Sequence, residues 1–296
     1  MAVSTRILRR RMKSVANTRK ITKAMELVAG AKMRKSVQLA FASRDYSATI
    51  RHLVHEIRSY VDPTTHPLLA HRSSRIAHRT SLLAIASSDR GLCGGFNAQI
   101  LKKALEHAKS RVEEVRIVTI GRRAELAVKR AGFQILGSFE AISTAPSVAR
   151  ALPISTFLAE EFLSGRVDRV FFASTDFQSA IAQTPTVKQL LPIIPEEELA
   201  SRISDLDDRD EAIILFEPSP KAILDILLPR LLETQIYQSL LESSASEHSA
   251  RMMAMRNATE NASEMLQDLS FTFNQARQAT ITREISEISA GKAAIE

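Results

Sequence analysis

A chain of 296 residues that is 45% hydrophobic can bury a sizeable core, as one large domain or two, and with no Trp and 5% aromatic residues that core is aliphatic. Its single cysteine, Cys93, excludes a disulfide framework and any multi-cysteine metal site, in keeping with a reducing compartment, and no apolar run reaches the roughly 18 residues of a membrane span. The net charge of +7 is uneven: residues 1–35 hold eleven Lys and Arg against Glu26 alone, a balance of +10 that leaves −3 for the remainder. An acidic partner surface, a nucleic acid or an anionic membrane would each be drawn to that first arm, and an Arg-rich, acid-poor start is also the composition of an organellar transit peptide.

From Ser4 to about Ile57 the spacing predicts one helix. Leu8, Met12, Val15, Thr18, Thr22, Met25, Ala29, Met33, Ser36, Ala40, Ser43, Ser47, Ile50, Val54 and Ile57 follow by threes and fours. Gly30 is its one interruption and costs about 1 kcal/mol relative to Ala, which a long paired helix tolerates. Asp62 to His78 reads as a linker, because Pro63 and Pro67 forbid helix continuation.

The period then changes. Ser81–Ala86 is a short apolar strand, followed by the Gly-rich turn Ser87–Asn97 and a helix from Phe96 to Lys109. A second strand, Val115–Ile120, ends at Gly121 and leads into a helix to Arg130 and a strand near Phe133–Leu136. Ser147–Leu163 reads as a helix and Val167–Ala173 and Ile213–Phe216 as strands, with the stretch carrying Pro185, Pro192 and Pro195 left unassigned. Strands alternating with helices point to an α/β domain.

Lys221 to Ala290 is a second long helix, with no Gly or Pro between Arg230 and Ala290. Ala245, His248, Met252, Met255, Thr259, Ala262, Leu266, Leu269, Phe273, Ala276 and Thr280 form a heptad seam. Ser219 is its expected cap, Pro220 its first residue and Gly291 its stop. Such a helix is on the order of 100 Å long and needs a partner along its length. Two of them at opposite ends of a chain pack antiparallel. The expected fold is therefore α/β: a long antiparallel coiled coil of N- and C-terminal helices plus a central Rossmann-like α/β domain. The chain divides into residues 1–60, a linker 61–79, a central domain 80–218 and a C-terminal helix 219–296.

Few residues suggest catalysis. The turn holding Asp89, Arg90, Gly91, Cys93, Gly94 and Gly95 would place amides at a helix N-terminus, yet it matches neither the dinucleotide fingerprint nor the P-loop. A tight turn that lets a helix pack on the sheet is the simpler reading. Ala173–Asp176 repeats Ala86–Asp89 and suggests shared turn chemistry at two strand ends. Cys93 has no His nearby in sequence and reads as packing. His52 and His55 lack a second pair at metal-ligand spacing, and no carboxylate pair suggests acid–base work. The acidic run Asp205–Glu211 reads as a solvated loop. The basic arm has no aromatics for base stacking, and a basic coiled-coil nucleic-acid-binding protein is the alternative it motivates. A nucleotide-dependent enzyme on the middle domain is a further rival.

Three blocks carry a family resemblance: Ser14 to Ala29 (SVANTRKITKAMELVA), Ser87 to Asn97 (SSDRGLCGGFN) and Phe273 to Ile288 (FNQARQATITREISEI). In order, they resemble the signatures of the γ subunit of F-type ATP synthases. Phe273 stands where that family usually has Tyr, and Gly291-Lys292 where it has Gly-Ala. The resemblance implies a non-catalytic central-stalk rotor that holds no nucleotide, cofactor or metal. Its partners would be the α and β subunits of the α3β3 head, the ε subunit and the c-ring, with no nucleic acid and no direct membrane insertion. It further implies that Met25, Arg251, Arg277, Gln278, Thr282 and Glu284 act in coupling or in contact with the head, and that Lys20, Lys23 and Arg34 meet acidic surfaces on β. Because the resemblance begins within the first few residues, a transit peptide is not expected, and the chain reads as a peripheral protein on the cytoplasmic face of a bacterial inner membrane. No cysteine-bearing insertion of the chloroplast kind is visible, so thiol control is not expected.

Overall fold

The computed structural model describes residues 5–58, 60–61, 66–69, 80–140, 146–193 and 216–293. The chain falls into two compact units, residues 1–30 with 251–296 and residues 31–250. Helix α1 (Thr5–Arg58) and the 74-residue helix α5 (Pro220–Ala293) each contribute to both.

The 31–250 unit is built on a five-stranded sheet. In chain order its elements are β1 (Thr80–Ala86), α2 (Phe96–Ser110), β2 (Glu114–Ile120), α3 (Arg122–Arg130), β3 (Ile135–Phe139), α4 (Val148–Leu163), β4 (Arg169–Phe177) and β5 (Gln183–Leu191). The strand order is β3-β2-β1-β4-β5, parallel except for β5, which runs antiparallel to β4. The parallel strands are almost continuously apolar because both faces are covered. Leu82, Ala84 and Ala86 of β1 join a core with α1, α4 and α5, through residues such as Ile50, Phe162 and Leu228. Leu83 and Ile85, on the opposite face, pack with Ile100 and Ala104 of α2 and Val128 of α3. Fully burying each such Leu or Ile stabilises the unit by roughly 1.5–3 kcal/mol.

Gly121 makes the β2-to-α3 turn possible. Its φ is +93°, and a Cβ there would lie 2.3 Å from the Ser87 carbonyl oxygen. Only a residue without a side chain lets the end of β2 approach the end of β1 so closely.

Three strand expectations are corrected. β3 begins at Ile135 rather than Phe133, because the Phe133 amide still closes α3 on the Val128 carbonyl at 3.3 Å. β4 runs to Phe177, so Ser174–Asp176 is not a turn: these residues pair with Thr186, Pro185 and Thr184 of β5. β5 itself occupies part of the stretch left unassigned. Among the described residues β5 is the edge strand of the sheet, a position that tolerates Pro185. The linker over 62–65 and 70–78, the acidic run 205–211 and residues 213–215 of the strand expected at 213–216 lie outside the described residues.

At the start of α5, Ser219 Oγ accepts the Ala222 amide at 3.3 Å, the cap expected of it. Gly291 does not stop the helix, which continues to Ala293. Nothing lies within 4 Å of where its Cβ would stand, so no turn or close approach uses the glycine.

Candidate functional site

Within the 31–250 unit, α1 and α5 pair through small polar side chains. Ser36 Oγ lies 3.1 Å from Ser244 Oγ, and Ser43 Oγ donates to Gln238 Oε1. Gln238 Nε2 donates in turn to the Ala40 carbonyl at 3.3 Å. Advancing along one helix means retreating along the other, so the pair is antiparallel. The unit of residues 1–30 and 251–296 keeps the same sense on its own: Thr259 Oγ1 meets Thr22 Oγ1 at 2.8 Å, and the Arg9 guanidinium sits 5.5 Å from the Phe273 ring centre. Such a cation over an aromatic face is worth about 0.5–1 kcal/mol at an exposed site.

The seam read from spacing is the one that is covered. On α5, Ala245, His248, Met255 and Ala262 are buried, Met252, Thr259, Leu266, Leu269, Phe273 and Ala276 half-buried, and Thr280, the last residue of the expected seam, is exposed. On α1 the same holds for every seam residue except Thr18, which is exposed and donates to the Ser14 carbonyl at 3.2 Å.

The contact residues implied by the resemblance distribute as follows. Met25 is half-buried on the α1 seam, Arg251 is half-buried and engaged, and Arg277, Gln278, Thr282 and Glu284 are exposed on α5. Lys20 and Lys23 line a shallow groove with Arg19, Leu27, Thr259 and Ser263, and Lys23 pairs with Glu26 at 3.1 Å. Arg34 is exposed on α1 in the 31–250 unit. All eleven cations of the first arm are exposed around α1 rather than gathered in a stripe, and nothing in the fold favours the nucleic-acid reading.

The Gly-rich turn spends its polar groups on itself. Ser87 Oγ accepts the Ala124 amide at 2.8 Å, Asn97 Oδ1 accepts the Ser88 amide at 3.1 Å, and Asp89 Oδ1 accepts the Arg122 amide at 3.3 Å. Cys93 is buried, with the Asn97 Nδ2 donating to its sulfur at 3.0 Å. Gly95 stands at the cap of α2 and so offers the helix no side-chain cap. Leu92 is held at φ +63° and stays 63% exposed, a costly backbone geometry for a leucine and one that the sequence did not single out. The switch point between β1 and β4, where open parallel sheets take ligands, has α5 beside it. Ser246 Oγ donates to the Thr175 carbonyl at 3.4 Å and Ser249 Oγ to the Ala180 carbonyl at 2.6 Å.

Spacing also missed an apolar stripe past the seam. Ile281, Ile285 and Ile288, separated by four and three residues, are 46%, 59% and 72% exposed. The signal was present as helical periodicity continuing beyond Thr280. His52 pairs with Glu56 at 3.4 Å, and among the described residues no group of three His, Cys, Asp or Glu could hold a metal ion. No described helix is long and apolar enough to cross a membrane.

The family model described as ATP synthase matches residues 4–295. The chain is 39% identical to the ATP synthase gamma chain of Pelotomaculum thermopropionicum over 294 residues, 99% of each protein. It is 41% identical to that of Heliobacterium modesticaldum over 291 residues, 98% of each. Among solved structures, the rotor of Euglena gracilis mitochondrial ATP synthase superposes with a TM-score of 0.64 at 17% identity, covering 94% of this chain and 98% of that one. A helix pair zippered antiparallel by small side chains, an α/β unit with a self-satisfied glycine turn, and end-to-end identity near 40% lead to one assignment: the chain belongs to the ATP synthase gamma chains.

Proposed function

We propose that the chain is the non-catalytic central-stalk rotor of an F-type ATP synthase, coupling proton flow through the c-ring to conformational change at the β-subunit sites during synthesis or hydrolysis. The observation that carries this reading is the antiparallel pairing of α1 and α5 along a thin seam of Ser, Thr and Ala, found in a chain of this family. A paired shaft resists twisting, and its faces differ all round because two unlike helices form it. An asymmetric surface that contacts three β subunits differently acts as a ligand does. It shifts each site only as far as its contacts differ between states, and turning the shaft moves that bias from one site to the next.

Met25, Arg251, Arg277, Gln278, Thr282 and Glu284 are the proposed contacts with the head, with Lys20, Lys23 and Arg34 facing acidic surfaces on β. The exposed positions among them favour such a role, since a charged side chain held in water can pair with a partner, in a salt-sensitive way. The turn Asp89–Gly95 is proposed as a structural support, its polar groups being spent internally. Residues 1–60 and 219–296 are the shaft, 61–79 a linker, and 80–218 the domain that meets ε and the c-ring. The protein acts at the cytoplasmic face of a bacterial inner membrane, peripheral to it.

The test is a mild pull-down of the tagged chain from its native membranes, with the eluate assayed for azide-sensitive ATPase. Co-elution of α, β and ε, with ATPase present only in that assembly, supports the rotor. A chain that elutes alone or with nucleic acid defeats it.

A further inference from the structure

Between α1, β5 and α5, inside the 31–250 unit, lies a polar cleft of about 440 Å³ that the rotor reading does not use. Ser47 and Arg51 stand one helical turn apart on α1 and both line it. Ser47 is 4% exposed and its Oγ is buried with no hydrogen-bond partner; the Nε of Arg51 is buried without one as well. Buried donors are normally paired, so two left open in one cleft mark the place of a missing acceptor.

The other charges around the cleft are committed. Arg44 lies 3.7 Å from Glu242, which also accepts from Gln238 Nε2 at 2.9 Å. Lys188, on β5, is paired with Asp176 at 2.9 Å. Asp45 also lines the cleft and is the exception, an exposed carboxylate that faces water. Arg51 is therefore the cation of the wall with no carboxylate in ion-pair reach among the described residues, and its neighbour across one turn is a hydroxyl that lines the same cleft.

We propose that this cleft binds a small oxyanion of the phosphate class, held by the Arg51 guanidinium and the Ser47 hydroxyl. A guanidinium offers a planar fork of donors that matches tetrahedral oxyanions, and a hydroxyl one turn away supplies a further bond to the same group. The volume falls within the roughly 300–1,000 Å³ of small-molecule sites, so a phosphate carried on a small organic group fits as well as the free ion.

The experiment is calorimetric titration of the full chain, at constant ionic strength, with inorganic phosphate, with glycerol 3-phosphate as a phosphomonoester, and with succinate. Wild type, Arg51→Gln, Ser47→Ala and the control Arg130→Gln, at an exposed arginine of α3, are compared, each checked by circular dichroism for an unchanged thermal midpoint. Saturable binding of phosphate or its ester is expected in wild type and Arg130→Gln, weakened about tenfold or more by Arg51→Gln and less by Ser47→Ala. Tighter binding of the ester assigns a carried phosphate, and tighter binding of the ion a free one. Absence of saturable binding in wild type, or equal affinity in Arg51→Gln, overturns the proposal. So does succinate binding as tightly as phosphate, which would instead mark the cleft as a seat for a partner's acidic side chain.

Discussion

Thr259 Oγ1 donates to Thr22 Oγ1 at 2.8 Å, and Thr22 Oγ1 reaches back to the Arg19 carbonyl at 3.1 Å. This hydroxyl contact joins α1 and α5 where two-stranded coils usually carry aliphatic side chains. A seam of hydroxyls keeps the helices close and sets their register, since a hydrogen bond has one geometry and apolar contact many.

Thr22→Val and Thr259→Val should each destabilise the 1–30 and 251–296 unit by about 1 kcal/mol, the net worth of a hydrogen bond, since the hydroxyl left behind keeps a carbonyl of its own helix, Arg19 for Thr22 and Met255 for Thr259. The double variant should cost less than the two single costs together, because the contact between the two hydroxyls can be lost only once. A double-mutant cycle by chemical unfolding, followed by helix content, reads the coupling. Strict additivity would mean that the contact does not hold the pair together.

The Glu161 carboxylate, 6% exposed, takes two bonds from Arg166, at 2.8 Å from Nε and 2.6 Å from Nη2. The Arg166 hydrogen bonds lower its pKa below the ordinary carboxylate value, against the opposing effect of burial. A carboxyl with a depressed folded pKa contributes stability that is present above its unfolded pKa and lost as pH falls through the folded one. Arg166→Gln should therefore destabilise the 31–250 unit at neutral pH, by an amount that solvent screening of the exposed guanidinium keeps small. The gap to wild type should close as pH drops below about 4, the ordinary carboxylate range. Urea unfolding at neutral pH and at successively lower pH checks both the size and the sign.

The seam was legible because its period is a direct consequence of helix geometry: spacing alone marks Ala245, Met255 and Ala262 as inward, and each is buried. Strand β5 was not legible. Pro185 argues against a central strand, and the residue pattern does not say that a strand will lie at an edge, which is set by tertiary order. The same gap misassigned Ser174–Asp176, whose likeness to Ser87–Asp89 is local while their pairing with β5 is not. The phosphate-class cleft was invisible for a related reason, since Ser47 and Arg51 meet Lys188 only after the sheet has brought β5 to α1.

Gly121→Ala should destabilise the 31–250 unit by at least about 2 kcal/mol, through a left-handed backbone and a Cβ set 2.3 Å from a carbonyl oxygen. The Ser87 carbonyl belongs to the end of β1 and cannot rotate aside as a side chain would. Gly132→Ala is the matched control, since it shares a positive φ of 77° and has nothing within 4 Å. If the two variants lost equal stability, backbone conformation alone would explain Gly121 and the close approach would not matter.

Met25 lies half-buried on α1 between the buried Thr22 and Ala29. A lysine there keeps an apolar stem against the seam and lifts its charge toward water, so Met25→Lys should cost the isolated chain under about 1 kcal/mol. In the assembled enzyme that charge would enter the proposed contact with the head. ATP-driven proton pumping should fall relative to ATP hydrolysis in membrane vesicles. An unchanged ratio of pumping to hydrolysis removes Met25 from the coupling residues.

Past Ala276 the two-helix seam gives out, and from Arg277 to Lys292 every residue of α5 is exposed. Ile281, Ile285 and Ile288 still form an apolar stripe there, with about half or more of each side chain in water. A single helix that shows this face to solvent gains little by itself; it gains when a partner covers the stripe, each isoleucine adding up to roughly 1.5–3 kcal/mol on full burial. Ending the chain after Arg277 should therefore leave the thermal midpoint of the 31–250 unit unchanged. The same truncation should weaken recovery of α and β in the pull-down, or lower coupled ATPase. Ile285→Asp should do so to a smaller degree without shortening the helix. Loss of the middle unit's stability in step with assembly would mean that the tip is part of the fold rather than a surface held ready for the head.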